Sequence, residues 1–179
     1  LLGRFDLLLT DPPYGIGFAA QPTNYQRAAG MKARQWDDEP VEFHFFSTLF
    51  AICREKIVWG GNYYPFPPSR GWIVWQKPDA PPSMANAELA WTSLDKNTKL
   101  VSQSISATNS ERVGHPTQKP LAVILASLAY APDAKTVLDP FAGSGTTGRA
   151  CKDLGRQCVM IEREEAYCEI IARRMGQEV

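Results

Sequence analysis

The last third of the chain alternates between helical and strand patterns, and this constrains the fold more than any other feature. Hydrophobic periodicity predicts helices over 121–130, 144–154 and 164–175, with short buried strands over 136–138 and 158–161. Strands that alternate with helices form a parallel sheet covered on both faces. We therefore predict an α/β fold with a doubly wound, mostly parallel sheet.

The first half adds further strands to this sheet. The run FDLLLT over 5–10 is apolar and stops at two prolines, which fits a strand buried on both faces. A helical period follows over 41–55, and short strands are predicted over 57–59, 72–75 and 87–92. Residues 15–39 are expected to form a long loop, and the polar stretch 96–114 an exposed, mobile one.

Length and composition exclude several classes of protein. The 179 residues suit one domain, and with 19 basic and 19 acidic residues the total charge does not indicate a strongly basic nucleic-acid module. No apolar run approaches the ~18 residues of a membrane helix. Four cysteines without a C-x-x-C pair are expected to be buried, reduced thiols, and with two histidines no metal site is predicted.

The segment TVLDPFAGSGTT over 136–147 runs from a buried strand through a glycine loop into a helix. Open α/β sheets bind ligands at this end of a strand, and Gly143, Gly145 and Gly148 have the spacing of a dinucleotide loop. Asp139 at the end of the strand could meet an ammonium group, which S-adenosylmethionine has and a dinucleotide lacks. Glu162, at the end of the next strand, could accept hydrogen bonds from ribose hydroxyls of either ligand.

A second loop, TDPPYG over 10–15, follows the first buried strand. Its Asp, Pro and Gly residues are typical of a turn that ends a strand. The two prolines would also hold the Asp11 carboxylate and the Pro12 carbonyl as a rigid pair of acceptors. Such a pair suits an exocyclic amine of adenine or cytosine, whose lone pair must be directed toward a methyl donor. Tyr14 offers a flat face on which a flipped base could stack.

These motifs resemble the amino-methyltransferases of DNA. DPPYG at 11–15, HPTQKP at 115–120 and DPFAGSGTT at 139–147 occur in the order of the β group of that family. WGGNYY at 59–64, GWIVWQKP at 71–78 and AELAWTS at 87–93, together with Trp36-Asp37, are similar to segments of phage and prophage adenine methyltransferases. The resemblance covers nearly the whole chain and implies the Rossmann-like fold of S-adenosylmethionine-dependent methyltransferases.

The resemblance implies roles for individual residues. Asp11, Pro12, Pro13 and Tyr14 would form the catalytic loop for N6-methylation of adenine. S-Adenosylmethionine would be held by a larger set: Asp139, Pro140, Phe141, Gly143, Ser144, Gly145, Thr146, Thr147, Glu162, His115, Thr117, Gln118 and Lys119. Residues 1–179 would form a single methyltransferase domain, with a short recognition or insert region at about 79–114. Relatives usually carry a further strand with an acidic residue upstream of DPPY; because none is seen here, we expect a fragment or a partly open pocket.

Two segments carry the basic residues expected to contact double-stranded DNA with its target base flipped out. The predicted DNA-binding residues are Arg27, Lys32, Arg34, Trp36, Lys96, Lys99 and Arg112. We expect a protein of the bacterial or phage-infected cytoplasm. A homodimer and a cognate restriction endonuclease on another chain are compatible with the resemblance.

Three alternative functions remain open at this point. The first is methylation of the 4-amino group of cytosine, which needs the same chemistry. The second is a catalytically inactive fragment that binds S-adenosylmethionine or DNA. A nicotinamide oxidoreductase would satisfy the glycine spacing, but no residue in the chain suggests hydride chemistry.

Overall fold

A mixed seven-stranded sheet runs through the computed structural model, which describes residues 4–16, 40–113 and 118–176. In those ranges the strands are β1 Phe5–Thr10, β2 Cys53–Trp59, β3 Trp72–Gln76, β4 Ala87–Thr92, β5 Lys99–Ser102, β6 Thr136–Asp139 and β7 Gln157–Met160. The helices are α1 Phe43–Ile52, α2 Ile105–Ser110, α3 Leu121–Tyr130, α4 Thr146–Asp153 and α5 Glu165–Gly176. The predicted α/β class is confirmed.

The strand order is β5-β3-β4-β2-β1-β6-β7. Strands β2, β1, β6 and β7 are parallel neighbours, whereas β4 is antiparallel to both β2 and β3, and β5 is parallel to β3. Because β1 and β6 are adjacent and parallel, the loops after Thr10 and after Asp139 leave the same edge of the sheet side by side.

Both faces of the central strands are buried, as their continuous apolar sequences predict. Leu7 and Leu9 of β1 pack on one face in a cluster that includes α3 and α4. Leu8 points to the opposite face, where the cluster includes Phe46 of α1. At roughly 25 cal/mol for each Å² of buried apolar surface, these two layers dominate the stability of the fold.

Two predictions about local structure are wrong. The helical period predicted over 41–55 ends early, because β2 begins at Cys53 and pairs with β1, with Cys53 opposite Phe5. The polar stretch 96–114 is largely exposed over its described residues, as expected, but it contains β5 and α2, so the prediction of a loop is wrong. The Asp79 carboxylate accepts hydrogen bonds from the backbone N–H groups of Ile105 and Ser106, at 2.6 and 2.9 Å, and so anchors the start of α2.

The cysteines are all free thiols, as expected, but not all are buried. Cys53 and Cys151 are buried, Cys158 is half-buried, and Cys168 lies on the exposed face of α5, so the expectation of burial is wrong for Cys168. Among the helices of the described ranges, none combines the length and apolar character of a membrane span.

Candidate functional site

A cavity of about 600 Å³ opens where the carboxyl ends of β1 and β6 meet. The loops that follow these two strands, 11–14 and 139–144, both line it, as do Thr146 and Thr147 at the start of α4. The two motifs lie more than 120 residues apart in the sequence, and the structure brings them to one site. A cavity of this size accommodates a nucleoside-sized ligand.

The Asp11 loop is held by two tyrosine hydroxyls. Tyr14 donates a hydrogen bond to Asp11 Oδ1, and Tyr64, which is buried, donates one to the Pro13 carbonyl. Pro12 is itself buried. These bonds fix the side chain of Asp11 and the backbone beside it before any ligand binds, which favours a preorganised acceptor site.

The Tyr14 ring stacks on the ring of Tyr63, with centroids 5.0 Å apart and an angle of 18° between the planes. Gly60 makes room for this stack. It adopts a φ of +68°, and a Cβ atom built on it would overlap the Tyr14 ring. The turn after β2 therefore needs a glycine for its conformation and for the position of the tyrosine.

Charged side chains alternate in sign beside Asp11. The Lys119 ammonium lies 2.8 Å from Asp11 Oδ2, 2.8 Å from Glu88 Oε2 and 3.2 Å from the Tyr14 hydroxyl. Lys77 forms an ion pair with the other carboxylate oxygen of Glu88. The series runs Asp11, Lys119, Glu88, Lys77, with two negative and two positive charges.

Ion pairing keeps Glu88 and Lys119 charged, although burial acts on the pKa of each group in the opposite direction. Burial opposes ionisation of Glu88, yet Lys119 and Lys77 lower the pKa of Glu88 to about 2. Burial also opposes the charge on Lys119, but the Asp11 and Glu88 carboxylates raise the pKa of Lys119 well above its usual value. Burial, with the nearby charge of Asp11, raises the pKa of Tyr14. At neutral pH, Lys119 is therefore an ammonium and Tyr14 a neutral donor.

The glycine loop between β6 and α4 is tied down on several sides. Gly143 and Gly145 have positive φ values of 52° and 79°, and a Cβ atom on Gly145 would lie 2.9 Å from Ile171. Arg174 of α5 donates a hydrogen bond of 2.6 Å to the Ser144 carbonyl. Helix α5 thus helps to position the glycine loop, which lies about thirty residues earlier in the sequence.

Asp139 is buried beneath this loop. Its Oδ1 accepts hydrogen bonds from Thr10 Oγ1 at 2.9 Å and from the Phe141 N–H at 3.2 Å. Burial is the largest influence and raises the pKa of Asp139 to about 6, against the hydrogen bonds that lower it. The carboxyl group joins the ends of β1 and β6, in addition to lining the cavity.

Glu162 lies opposite the glycine loop, just after β7. Its Oε2 accepts a hydrogen bond of 2.7 Å from the Gly143 N–H, and its Oε1 accepts from the backbone N–H groups of Arg163 and Glu164, both at 2.8 Å. Glu162 as a whole is half-buried and lines the cavity. An oriented carboxylate of this kind is the group expected to face ribose hydroxyls.

The HPTQKP segment divides between the two parts of the cavity. Gln118 Oε1 accepts from Ser144 Oγ and from the Val113 N–H, both at 3.1 Å, so Gln118 lies against the glycine loop. Lys119, which the resemblance assigns to the cofactor, also lines the cavity and forms an ion pair with Asp11. His115 and Thr117 lie outside the described residues.

Two further predicted cofactor residues, Pro140 and Phe141, line the cavity, whereas Gly145 and the third glycine of the spacing, Gly148, do not. The Phe141 ring meets Phe45 of α1 edge-on, at 5.9 Å between centroids. Gly148 packs against Met160, where a Cβ atom would overlap the methionine side chain.

The predicted DNA-contacting residues are scattered. Arg112 lines the cavity. Lys96 donates a hydrogen bond of 2.8 Å to the Tyr130 carbonyl, and Lys99 is exposed at the start of the edge strand β5, and neither lines the cavity. Arg27, Lys32, Arg34 and Trp36 lie outside the described residues. Within the described ranges, no cluster of three or more His, Cys, Asp or Glu side chains could hold a metal ion.

Several residues of the site were not singled out from the sequence. Lys77 and Glu88 occur in segments that carry the resemblance, but nothing there indicated their charge pairing. Arg174 was interpreted only as a basic residue favoured at a helix carboxyl end. A signal for Lys77 and Glu88 was present: both are charged residues at the ends of otherwise apolar strands.

Solved structures show the same architecture. The crystal structure of the M1.HpyAVI-SAM complex superposes with a TM-score of 0.64 at 21% identity, covering 96% of this chain and 90% of that one. PvuII DNA methyltransferase (cytosine-N4-specific) superposes with a TM-score of 0.61 at 17% identity, covering 98% and 80%. The fold is therefore the Rossmann-like fold of methyltransferases.

Sequence comparison narrows this class to one family. The N6/N4 methyltransferase family model, described as DNA methylase, matches residues 74–173. This chain belongs to that DNA methylase family. The Type II methyltransferase M2.DpnII of Streptococcus pneumoniae is 43% identical over 65 residues, which cover 36% of this chain and 24% of that protein. The match thus spans about a quarter of the length of this curated relative.

Proposed function

We propose that this chain is a DNA methyltransferase that transfers a methyl group from S-adenosylmethionine to the 6-amino group of adenine. One observation carries the proposal: a single cavity is lined by the Asp11-Pro12 acceptors, by Tyr14 and by Gly143, Ser144, Thr146 and Thr147 of the glycine loop. A base and a nucleoside cofactor can therefore meet there. Membership of the DNA methylase family supports DNA as the substrate.

The catalytic loop orients the amine. Asp11 and the Pro12 carbonyl accept its two hydrogens, which turns the nitrogen lone pair away from the ring and toward the methyl donor. S-Adenosylmethionine, held at the glycine loop, would supply the methyl group, and its sulfur would keep the electron pair of the bond that breaks as the nitrogen is methylated. The nitrogen then loses one proton, for which the Asp11 carboxylate is the adjacent acceptor. Tyr14 stacks on the flipped base.

The other end of the cavity fits the cofactor. Glu162 presents an oriented carboxylate for the ribose hydroxyls, and Gly143, which lines the cavity with a positive φ, lets the backbone approach the ligand closely. Gln118 and Ser144, joined by their hydrogen bond, close the methionine side. Asp139 braces the loop from below.

Adenine is proposed over cytosine because three segments, at 59–64, 71–78 and 87–93, resemble segments of adenine methyltransferases. The fold alone is compatible with both, since PvuII methyltransferase, named as cytosine-N4-specific, shares it. Duplex DNA with the target base flipped out is the proposed substrate, because the amine of a stacked base cannot reach Asp11. The same proposal places the protein in the cytoplasm, with the DNA of the cell.

A product assay tests the proposal. Unmethylated duplex DNA is incubated with the protein and S-adenosylmethionine, digested to nucleosides and examined by mass spectrometry. Asp11→Ala is tested in parallel, with the exposed Asp133→Ala as the matched control. We expect 6-methyladenine from the wild type and from the control, and none from Asp11→Ala.

Other outcomes reject parts of the proposal. If 4-methylcytosine forms in place of 6-methyladenine, adenine is rejected as the target base, but methylation of an exocyclic amine is supported. No methylated base, although calorimetric titration shows binding of S-adenosylmethionine, rejects the enzyme and favours an inactive binding protein. Full activity of Asp11→Ala rejects the assigned catalytic loop.

A further inference from the structure

Lys119 is a buried cation placed against the proposed catalytic carboxylate. Its side chain is 7% exposed, and its ammonium contacts Asp11 Oδ2 and Glu88 Oε2, both at 2.8 Å. It also lies 5.5 Å from the centre of the Trp59 ring and 5.7 Å from that of Tyr14. An ammonium buried this deeply requires anionic and aromatic partners, and here they include the residue proposed to act on the substrate.

The two oxygens of Asp11 have different partners. Oδ1 accepts from the Tyr14 hydroxyl, and Oδ2 accepts from Lys119. A carboxylate held at both oxygens has one rotamer, yet each oxygen keeps a second lone pair for an incoming amine hydrogen. Removing Lys119 frees one side of the carboxylate and leaves its direction undetermined.

Lys119 is itself fixed from the far side. Glu88 lies on β4 and contacts Lys119 through Oε2 and Lys77 through Oε1. Without Glu88, the ammonium would have Asp11 as its sole carboxylate partner among the ion pairs of the described residues. Glu88 therefore helps to fix the position of the Lys119 ammonium, which interacts with the carboxylates of both Glu88 and Asp11.

We propose that Lys119 is a positioning residue for methyl transfer, holding the Asp11 carboxylate toward the target amine, with Glu88 and Lys77 holding Lys119 in turn. This inference rests on the proposed function. It differs from the role implied by the resemblance, in which Lys119 lies against the cofactor. The two roles predict different kinetic effects.

The experiment compares Lys119→Met with Lys119→Arg and with Lys135→Met, an exposed lysine that serves as the matched control. Single-turnover methylation is measured at saturating DNA and cofactor, and the Kd of S-adenosylmethionine by calorimetric titration. We expect the rate of Lys119→Met to fall about 100-fold or more, the effect of misplacing a reacting group by about 1 Å. The Kd should stay within about threefold, and Lys119→Arg, which keeps the charge, should recover part of the rate.

Lys119→Met leaves two carboxylates facing each other, so the variant could fail to fold. Lys119→Met with Glu88→Gln removes that repulsion and also lacks the cation on Asp11. We expect this double variant to fold, by circular dichroism, and to lose as much of the rate as Lys119→Met. Glu88→Gln alone should lose less.

Three results would overturn the inference. A Lys119→Met or double-variant rate within threefold of wild type shows that Asp11 needs no cation. A loss of cofactor affinity as large as the loss of rate assigns Lys119 to the cofactor. A wild type that forms no methylated base refutes the proposed function and this inference together, whereas an active wild type with an active Lys119 variant refutes this inference alone.

Discussion

Asp139→Asn is expected to stabilise the protein at neutral pH and to have little effect in acid. The Asp139 side chain is 3% exposed, and its burial raises its pKa from 3.8 to about 6. Below the lower value the group is neutral in the folded and unfolded chains alike. As the pH rises, the unfolded chain ionises first, so the folded state of the wild type becomes progressively less favourable until the pH exceeds about 6.

The size of the effect follows from the two pKa values. A difference of about 2 pH units at 1.36 kcal/mol each corresponds to about 3 kcal/mol of lost stability above pH 6. About 2 kcal/mol of this falls between about pH 4.5 and about pH 7.5. Asparagine carries no charge to bury and keeps an oxygen that can accept from Thr10 and Phe141.

Denaturant unfolding of wild type and variant across this pH range is the assay. Other carboxylates titrate alike in both proteins, so the difference between the two free energies of unfolding isolates Asp139. Asp133→Asn, which removes the same charge at an exposed position, is the control. A difference between wild type and Asp139→Asn that does not change with pH would refute the reasoning, because the charge would then carry no burial penalty.

Three further changes test other parts of the site. Gly60→Ala should cost about 1–2 kcal/mol of stability from its positive φ alone, and should slow methylation by displacing Tyr14; equal stability in denaturant would contradict this. Arg174→Met should weaken binding of S-adenosylmethionine about tenfold in calorimetric titration by releasing the Ser144 carbonyl, whereas the exposed neighbour Arg173→Met should not; equal effects would refute a specific role. Glu88 has its pKa lowered from 4.5 to about 2, so its contribution of about 3 kcal/mol is present above pH 4.5 and lost as the pH falls through 2. Glu88→Gln should therefore remove part of the acid-induced loss of stability, and unfolding curves of unchanged pH dependence would contradict the pairing.

The parts of the site that follow strands could be predicted from the sequence. Asp11 and Asp139 each follow an apolar run, and the sequence assigned each loop separately to the end of a buried strand. That the two strands are parallel neighbours is seen only in the structure. The glycine spacing indicated a loop that approaches a ligand, and the structure gives Gly143 and Gly145 positive φ values.

The parts of the site that depend on contacts between distant elements could not be predicted from the sequence. The contact of Lys119 with Glu88 requires β4 to lie antiparallel between β2 and β3, and nothing local specifies that order. The bond from Arg174 to Ser144 requires α5 to pack against the loop thirty residues earlier. The helical pattern of the sequence continues past Cys53, but Cys53 pairs with Phe5 in the sheet. The backbone hydrogen bonds between β1 and β2 replace those that a longer helix would have made.

The hydrogen bond from Thr10 to Asp139 joins the last residues of two strands that lie side by side in the sheet. The separation of the two loops is therefore set by the spacing between neighbouring strands, about 4.8 Å, and not by the length of the chain between them. A change in the length of a connection that contacts neither strand end therefore leaves the two loops side by side. The order of the two strands along the chain does not enter this separation either, so we expect a circular permutation that reversed their order to leave the two strand ends side by side.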